Sequence, residues 1–150
     1  MKQTVRILAL VAAVSMLFAP SLLSQGRHGR GSGGWGYHAS YDGIYDPQTV
    51  ETVTGEVVGV CEAPPMKGMS NGVHLTLKTG KETLSVHLGP SWYIMNQDTR
   101  IDVKDKIEVT GSRVMFDGAP ALIAIEVKKG DETLKLRDGD GYPRWSGWRR

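Results

Sequence analysis

Two histidines, His74 and His87, stand in short segments whose residues alternate between apolar and polar, VHLTLK (73–78) and TLSVHL (83–88). Four residues, TGKE (79–82), join the segments, and this is a length typical of a β-hairpin. Imidazole is the commonest metal ligand and also titrates near neutral pH. Two imidazoles held close together would suit a metal ion if a further ligand came from elsewhere in the chain.

The alternation predicts how the two segments pair. Residue numbers of antiparallel partners have a constant sum, and pairing Lys78 with Thr83 sets that sum. Three apolar pairs then share one face: Leu77 with Leu84, Leu75 with Val86, and Val73 with Leu88. A slip of one residue would place each apolar side chain opposite a polar one. His74 is therefore predicted to lie opposite His87 on the outer face, with Cβ atoms about 5 Å apart.

Soft donor atoms precede the hairpin. Cys61, Met66 and Met69 lie in CEAPPMKGMSNG (61–72), a loop rich in turn-forming residues. Thiolate and thioether ligands favour copper(I), and imidazole suits zinc, copper or nickel. Two interpretations stay open. Both histidines, with Cys61 and Met69, form a copper or zinc site, or the histidines are a solvated surface pair and the methionines only pack.

Polar and aromatic side chains near the same face form a second candidate site. Thr76, Lys78 and Ser85 fall on the outer face, and Trp92 and Tyr93 follow the hairpin directly. Aromatic faces stack on bases or sugars. These five residues are the predicted contact set for a small ligand or an envelope protein, although Trp92 could instead close one end of a barrel.

The tail, residues 138–150, contains Trp145 and Trp148 among arginines, which add cation–π attraction to an aromatic surface. The two tryptophans either extend such a surface or pack back on the domain as a latch. The tail carboxylates Asp138 and Asp140 lie in a Gly-rich DGDG sequence, where the rigid geometry of acid–base catalysis is not expected. Since Cys61 also lacks a neighbouring base in the sequence, we expect no enzymatic activity.

Composition divides the 150-residue chain into four parts. Residues 1–24 join a basic head to an apolar run too short for a comfortable membrane span, and this predicts a signal peptide, either cleaved or retained as an anchor. Residues 25–47 are Gly-rich and predicted to be a flexible arm. Residues 48–137 form the predicted domain and residues 138–150 the tail. The leader predicts a periplasmic or secreted protein with no transmembrane span after cleavage.

Charge argues against a nucleic-acid partner. Eighteen basic residues face sixteen acidic ones, and Lys2 and Arg6 belong to the leader. The remaining chain is balanced, whereas phosphate-binding domains carry an excess of positive charge. Single-stranded nucleic acid stays the less favoured alternative.

The segments that must position these residues are predicted to be strands. The patterns indicate strands at 49–60, 73–78, 83–88, 106–114, 121–128 and 133–137, with a helical turn at 90–98. The first five strands follow the order of a small five-stranded Greek-key barrel of the OB type, with one short helical turn between strands three and four. A β-sandwich usually needs about seven strands.

The segments TVTGEVVGV (52–60), VHLTLKTGKETLSVHLGPSW (73–92), DKIEVTGSRV (105–114) and ALIAIEVKKG (121–130) resemble those of exported bacterial OB-fold proteins. That group includes periplasmic stress-tolerance proteins and uncharacterised chains. VHLGPSW and the tail LKLRDGDGYPRWSGWRR are also similar to small periplasmic proteins of respiratory bacteria, including magnetosome-associated ones. These resemblances imply a fold, a compartment and a binding role, and they carry no catalytic residues.

The sequence therefore predicts a periplasmic or secreted, non-catalytic OB-fold module that binds a small ligand or an envelope protein. A metal-binding or haem-pathway accessory protein is the first alternative, and a single-stranded nucleic-acid binder is the second.

Overall fold

The computed structural model describes residues 32–146. The predicted signal peptide and Trp148 lie outside the described residues. The strands are β1 Val50–Ala63, β2 Gly72–Lys78, β3 Thr83–Pro90, β4 Lys106–Phe116, β5 Ala119–Lys129 and β6 Glu132–Lys135. One short helix, α1 Ser91–Ile94, lies between β3 and β4, and two 3-10 turns, Asp42–Ile44 and Pro47–Thr49, precede β1.

The strands close into a barrel. Antiparallel neighbours follow the order β3-β2-β1-β4-β5, and β3 pairs in parallel with β5 between Ser85–His87 and Ala121–Ile123. The sixth strand, β6, adds to the outer edge of β5. This arrangement confirms the predicted five-stranded barrel with a helical turn between strands three and four.

The first strand bends so that it serves both sides of the barrel. Its first half, Val50–Glu56, pairs with β4, and its second half, Glu56–Ala63, pairs with β2. A register shift between Val57 and Gly59 marks the bend. Such a bulge inserts an extra residue and increases the local twist.

The β2–β3 register confirms the predicted histidine pairing, with one correction. His74 pairs with His87, and the apolar partners from Leu75 to Leu77 are as predicted. Val73, however, pairs with Gly89 rather than with Leu88, because the register shifts between Val73 and His74. The shift still leaves Val73 and Leu88 buried in the core, which holds side chains from all the barrel strands.

The described part of the predicted flexible arm is packed against the barrel. Trp35 is 2% exposed and Tyr41 is 3% exposed. The indole Nε1 of Trp35 donates a hydrogen bond to the carbonyl of Ser70, 3.1 Å away. The flexible-arm prediction is therefore wrong for residues 32–47, since two large aromatic rings offset the ordering cost of the surrounding glycines.

Among residues 32–146, no helix is both long and apolar enough to cross a membrane.

Candidate functional site

The two histidines lie on the outer face of the barrel beneath a tyrosine. The imidazole rings of His74 and His87 stack with centroids 4.3 Å apart and planes 6° apart. The ring of Tyr41 is nearly parallel to that of His87, with centroids 6.0 Å apart and planes 3° apart. The Tyr41 hydroxyl lies 2.7 Å from His87 Nδ1 in a buried hydrogen bond, and Phe116 packs edge-on against His87.

This cover removes His87 from solvent. His87 is 1% exposed, and burial, followed by the charges of His74 and Arg137, lowers its pKa to about 3. Burial also lowers the pKa of His74, which is half-buried. The prediction of a solvated pair is therefore wrong. The side chains do point outward, but the chain's own N-terminal segment lies against His87 through Tyr41.

The stacked arrangement does not by itself form a metal site. The nitrogen lone pairs lie in the ring planes, so two parallel rings direct their lone pairs side by side. A zinc ion instead needs lone pairs that point at one position, with each nitrogen about 2.0–2.1 Å from the ion. Cys61 pairs with His74 on the adjacent strand and is exposed. No group of three or more His, Cys, Asp or Glu suited to a metal ion occurs in residues 32–146. The copper or zinc hypothesis stays a prediction, and it requires a ring to rotate.

The predicted contact residues divide between two places. Thr76 and Lys78 are exposed on the outer face of β2, and Ser85 is half-buried opposite Thr76. Trp92 and Tyr93 lie instead on α1, where Tyr93 is buried with its ring 5.5 Å from that of Trp145. The structure therefore does not bring the five residues into one site.

Met69 lies in the loop before β2, where it packs against the N-terminal segment. Its side chain is half-buried and lies close to Gly34, where an added Cβ would be 2.7 Å from Met69 Cγ. Met66 is exposed in the same loop.

A buried arginine, Arg137, completes the cover from the C-terminal side. It is 4% exposed, and its Nη1 donates to the carbonyls of Leu88, at 3.1 Å, and Ala124, at 2.6 Å. Its guanidinium lies 4.8 Å from the ring centre of Trp145. Burial lowers the pKa of its guanidinium below the ordinary value. Arg137 was not singled out in the sequence analysis.

Trp145 links the two ends of the described chain. It is 3% exposed, and its indole Nε1 donates to the carbonyl of Trp35 over 2.8 Å. The latch interpretation is thus confirmed for Trp145. We call the covering residues 32–46 and 136–146 the clasp.

The start of β2 and the end of β3 leave room for the indole rings, because each has a glycine at the point of contact. An added Cβ on Gly72 would lie 2.4 Å from Trp35 Cζ2, and one on Gly89 would lie 2.7 Å from Trp145 Cζ3. Glycine permits this close approach of the rings to the backbone.

A methyl group at Gly72 should therefore displace Trp35. We expect Gly72→Ala to lower the free energy of unfolding by about 1–3 kcal/mol through overpacking. Hydrogen exchange in residues 32–46 should also rise. Gly59→Ala is the matched control, because its Cβ would meet Thr76 at ordinary contact distances of 3.4 Å and more. Unchanged exchange in Gly72→Ala would contradict the described packing.

A comparison with known proteins identifies the family of this chain. The model of the MamS/MamX magnetosome protein family matches residues 49–134. That range is more than half of the 150 residues and runs from the start of β1 into β6. No curated protein matches the chain. The match confirms the resemblance to magnetosome-associated proteins, and the resemblance to exported stress-tolerance proteins stays a prediction. The chain belongs to the MamS/MamX magnetosome protein family.

Proposed function

We propose that this chain is a non-catalytic, exported protein that binds a protein partner during magnetosome formation. Membership in a magnetosome family supports an accessory or binding role in that process. The leader-like residues 1–24 support export to the periplasm or beyond. The proposed contact surface is the part of the outer β2–β3 face that the clasp leaves open.

The observation that carries this proposal is the division of the outer face. At one end, the clasp buries His87. At the other end, Thr76, Lys78 and Thr83 are exposed and Ser85 is half-buried. We call these four residues the open face. In barrels of the OB type, the outer face of strands two and three with its bordering loops is a common binding surface.

The shape of the open face favours a protein over a small molecule. Small-molecule sites are concave and enclose about 300–1,000 Å³. In residues 32–146, two grooves of about 270 and 320 Å³ lie near α1, and neither is lined by the open face. The open face is instead a strand surface with small hydroxyl side chains, which another protein can approach closely.

Charges beside the open face can orient a partner. Lys78 pairs across the sheet with Glu56, and Glu56 pairs in turn with Lys106. All three are exposed. Interfacial charges of alternating sign contribute to specificity and association rate more than to affinity.

The proposal is tested by complementation in magnetosome-forming cells that lack this protein. The double variant Thr76→Arg/Ser85→Arg places two bulky cations on the open face, and we expect it to fail to restore magnetosome formation. The exposed Lys128→Glu variant, on β5, is the control and should restore it. Thermal denaturation of both purified variants separates lost binding from lost folding. Full restoration by the folded double variant would overturn the proposal.

A further inference from the structure

One of the two grooves near α1 reaches into the core of the barrel. Its volume is about 270 Å³, and it is lined by Leu75, Leu88 and Leu134, each at most 3% exposed. Ile94 and Ile101, which follow β3 in the chain, also line it. The helix α1 has only four residues, so it is too short to fill this end of the barrel. We call this space the barrel-end pocket.

The lining of the barrel-end pocket favours a hydrocarbon chain. Most of the side chains that line it are apolar, and within residues 32–146 none of them carries an aromatic ring. A base or a sugar would need an aromatic face for stacking, whereas an aliphatic chain needs only apolar burial. Three exposed charged residues also line the pocket: Glu62, Arg100 and Asp102. Because two of these three are acidic, an anionic group is disfavoured at this end.

The other groove near α1 adjoins the barrel-end pocket and is polar. It encloses about 320 Å³. Three residues line both spaces: Gln97, Thr99 and Leu134. Together the two spaces reach the usual size of a small-molecule site, about 300–1,000 Å³. A ligand that passes Thr99 and Leu134 therefore occupies both, and we call the second space the polar groove.

The polar groove carries more positive than negative charge. Its lining has two cations, Lys135 and Arg144, and one acidic residue, Asp98, and all three are exposed. Neither cation forms an ion pair with another residue in the part of the chain that the structure describes. Burial raises the pKa of Tyr93, which lines the same groove, and the nearby charge of Arg144 opposes that rise. A carboxylate is therefore favoured at this end.

We propose that the barrel-end pocket and the polar groove form one site for an aliphatic carboxylate of medium chain length. The hydrocarbon chain lies against the leucines of the barrel core, and the carboxylate accepts hydrogen bonds from Lys135 and Arg144. Burial of the chain contributes affinity, and the charge-assisted hydrogen bonds fix the orientation of the ligand. The open face lines neither space, so this inference does not depend on the proposed function.

Isothermal titration calorimetry of the full chain with octanoate tests the site, and octylamine is a probe with the same chain and the opposite charge. We expect saturable binding of octanoate and about tenfold weaker binding of octylamine. Thr99→Trp, placed where the two spaces meet, should abolish octanoate binding by filling the site. Thr54→Trp is the matched control, since Thr54 is exposed on β1 and lines neither space. Circular dichroism shows whether each variant folds.

A second pair of variants tests the carboxylate end without filling the site. Lys135→Ala/Arg144→Ala should weaken octanoate binding by about tenfold, because the carboxylate loses its charged donors. Lys67→Ala/Lys81→Ala removes two exposed charges that line neither space, and it should bind octanoate like the wild type. The inference would be overturned by a wild-type protein that shows no saturable octanoate binding or binds octylamine equally well. Unchanged binding by Lys135→Ala/Arg144→Ala or by folded Thr99→Trp, or equal loss in the controls, would overturn it too.

Discussion

Replacing Trp145 with alanine should lower the free energy of unfolding by about 3–5 kcal/mol, the cost of removing a fully buried tryptophan side chain. The substitution removes the hydrogen bond to the Trp35 carbonyl and the ring contact with Tyr93. It also removes the aromatic face beside the buried Arg137 guanidinium. Urea denaturation of the purified protein, followed by circular dichroism, measures the change.

Tyr142→Ala is the matched control in the same segment. Tyr142 is 45% exposed, its hydroxyl donates to Ser146, and its ring lies 4.8 Å from that of Tyr37, which is itself 42% exposed. Loss of an exposed ring should change stability by less than about 1 kcal/mol. If Trp145→Ala were no more destabilising than Tyr142→Ala, the C-terminal part of the clasp would not be packed as described.

Lowering the pH should destabilise the folded protein, and His87 should set the pH range in which this happens. In the folded protein, burial lowers the pKa of His87 to about 3, whereas the unfolded chain has a pKa near 6.5. Between these values the unfolded state binds a proton that the folded state does not. Stability therefore falls as pH falls from 6.5 towards 3, by up to about 1.4 kcal/mol per pH unit from His87. His74, whose pKa burial also lowers, contributes in the same direction.

His87→Phe keeps an aromatic ring in the stack and removes the titrating group. Its baseline stability should fall, because the buried Tyr41 hydroxyl loses its hydrogen-bond partner. The dependence of stability on pH between 6 and 4 should nevertheless become shallower. His38→Asn, at an exposed histidine with positive φ, is the control and should keep the wild-type slope. Equal slopes in wild type and His87→Phe would refute the buried, neutral state of His87.

The hairpin register could be predicted because the alternation in β2 and the alternation in β3 require the same pairing. Alternation from Leu75 to Leu77 and from Leu84 to Val86 leaves one pairing with all apolar residues on one face. The shift at Val73 could not be predicted in this way, since Val73 and Leu88 are both apolar and are buried with or without the bulge. At these strand ends, Gly72 and Gly89 lie against the two indole rings, a contact that the alternation does not encode.

The packing of the N-terminal part of the clasp was not predicted, because the composition of a whole segment hides the role of single residues. The many glycines of residues 25–47 indicate disorder when they are counted together. Two of them, Gly33 and Gly34, have positive φ and lie against the 61–72 loop, where Ser70 N donates to the Gly33 carbonyl at 2.9 Å. These glycines therefore give the segment a defined backbone conformation instead of making it flexible. The signal that could have indicated packing was the presence of Trp35 and Tyr41 between these glycines.

The candidate site was predicted in part. The pairing of His74 with His87 and the outward direction of Thr76 followed from the alternation. The burial of His87 could not follow, because Tyr41 is 46 residues away in the chain and no local pattern links it to β3. Arg137 was missed for the same reason, since its acceptors at Leu88 and Ala124 belong to other strands.

The central claim is that the chain's own N-terminal segment covers His87 on the outer face of the barrel. Nuclear Overhauser contacts measured by NMR on the full chain at neutral pH test it most directly. We predict contacts from the ring protons of Tyr41 to those of His87 and Phe116. Absence of both contacts, with the Tyr41 ring at the chemical shifts of an exposed tyrosine, would contradict the claim and return this face to solvent.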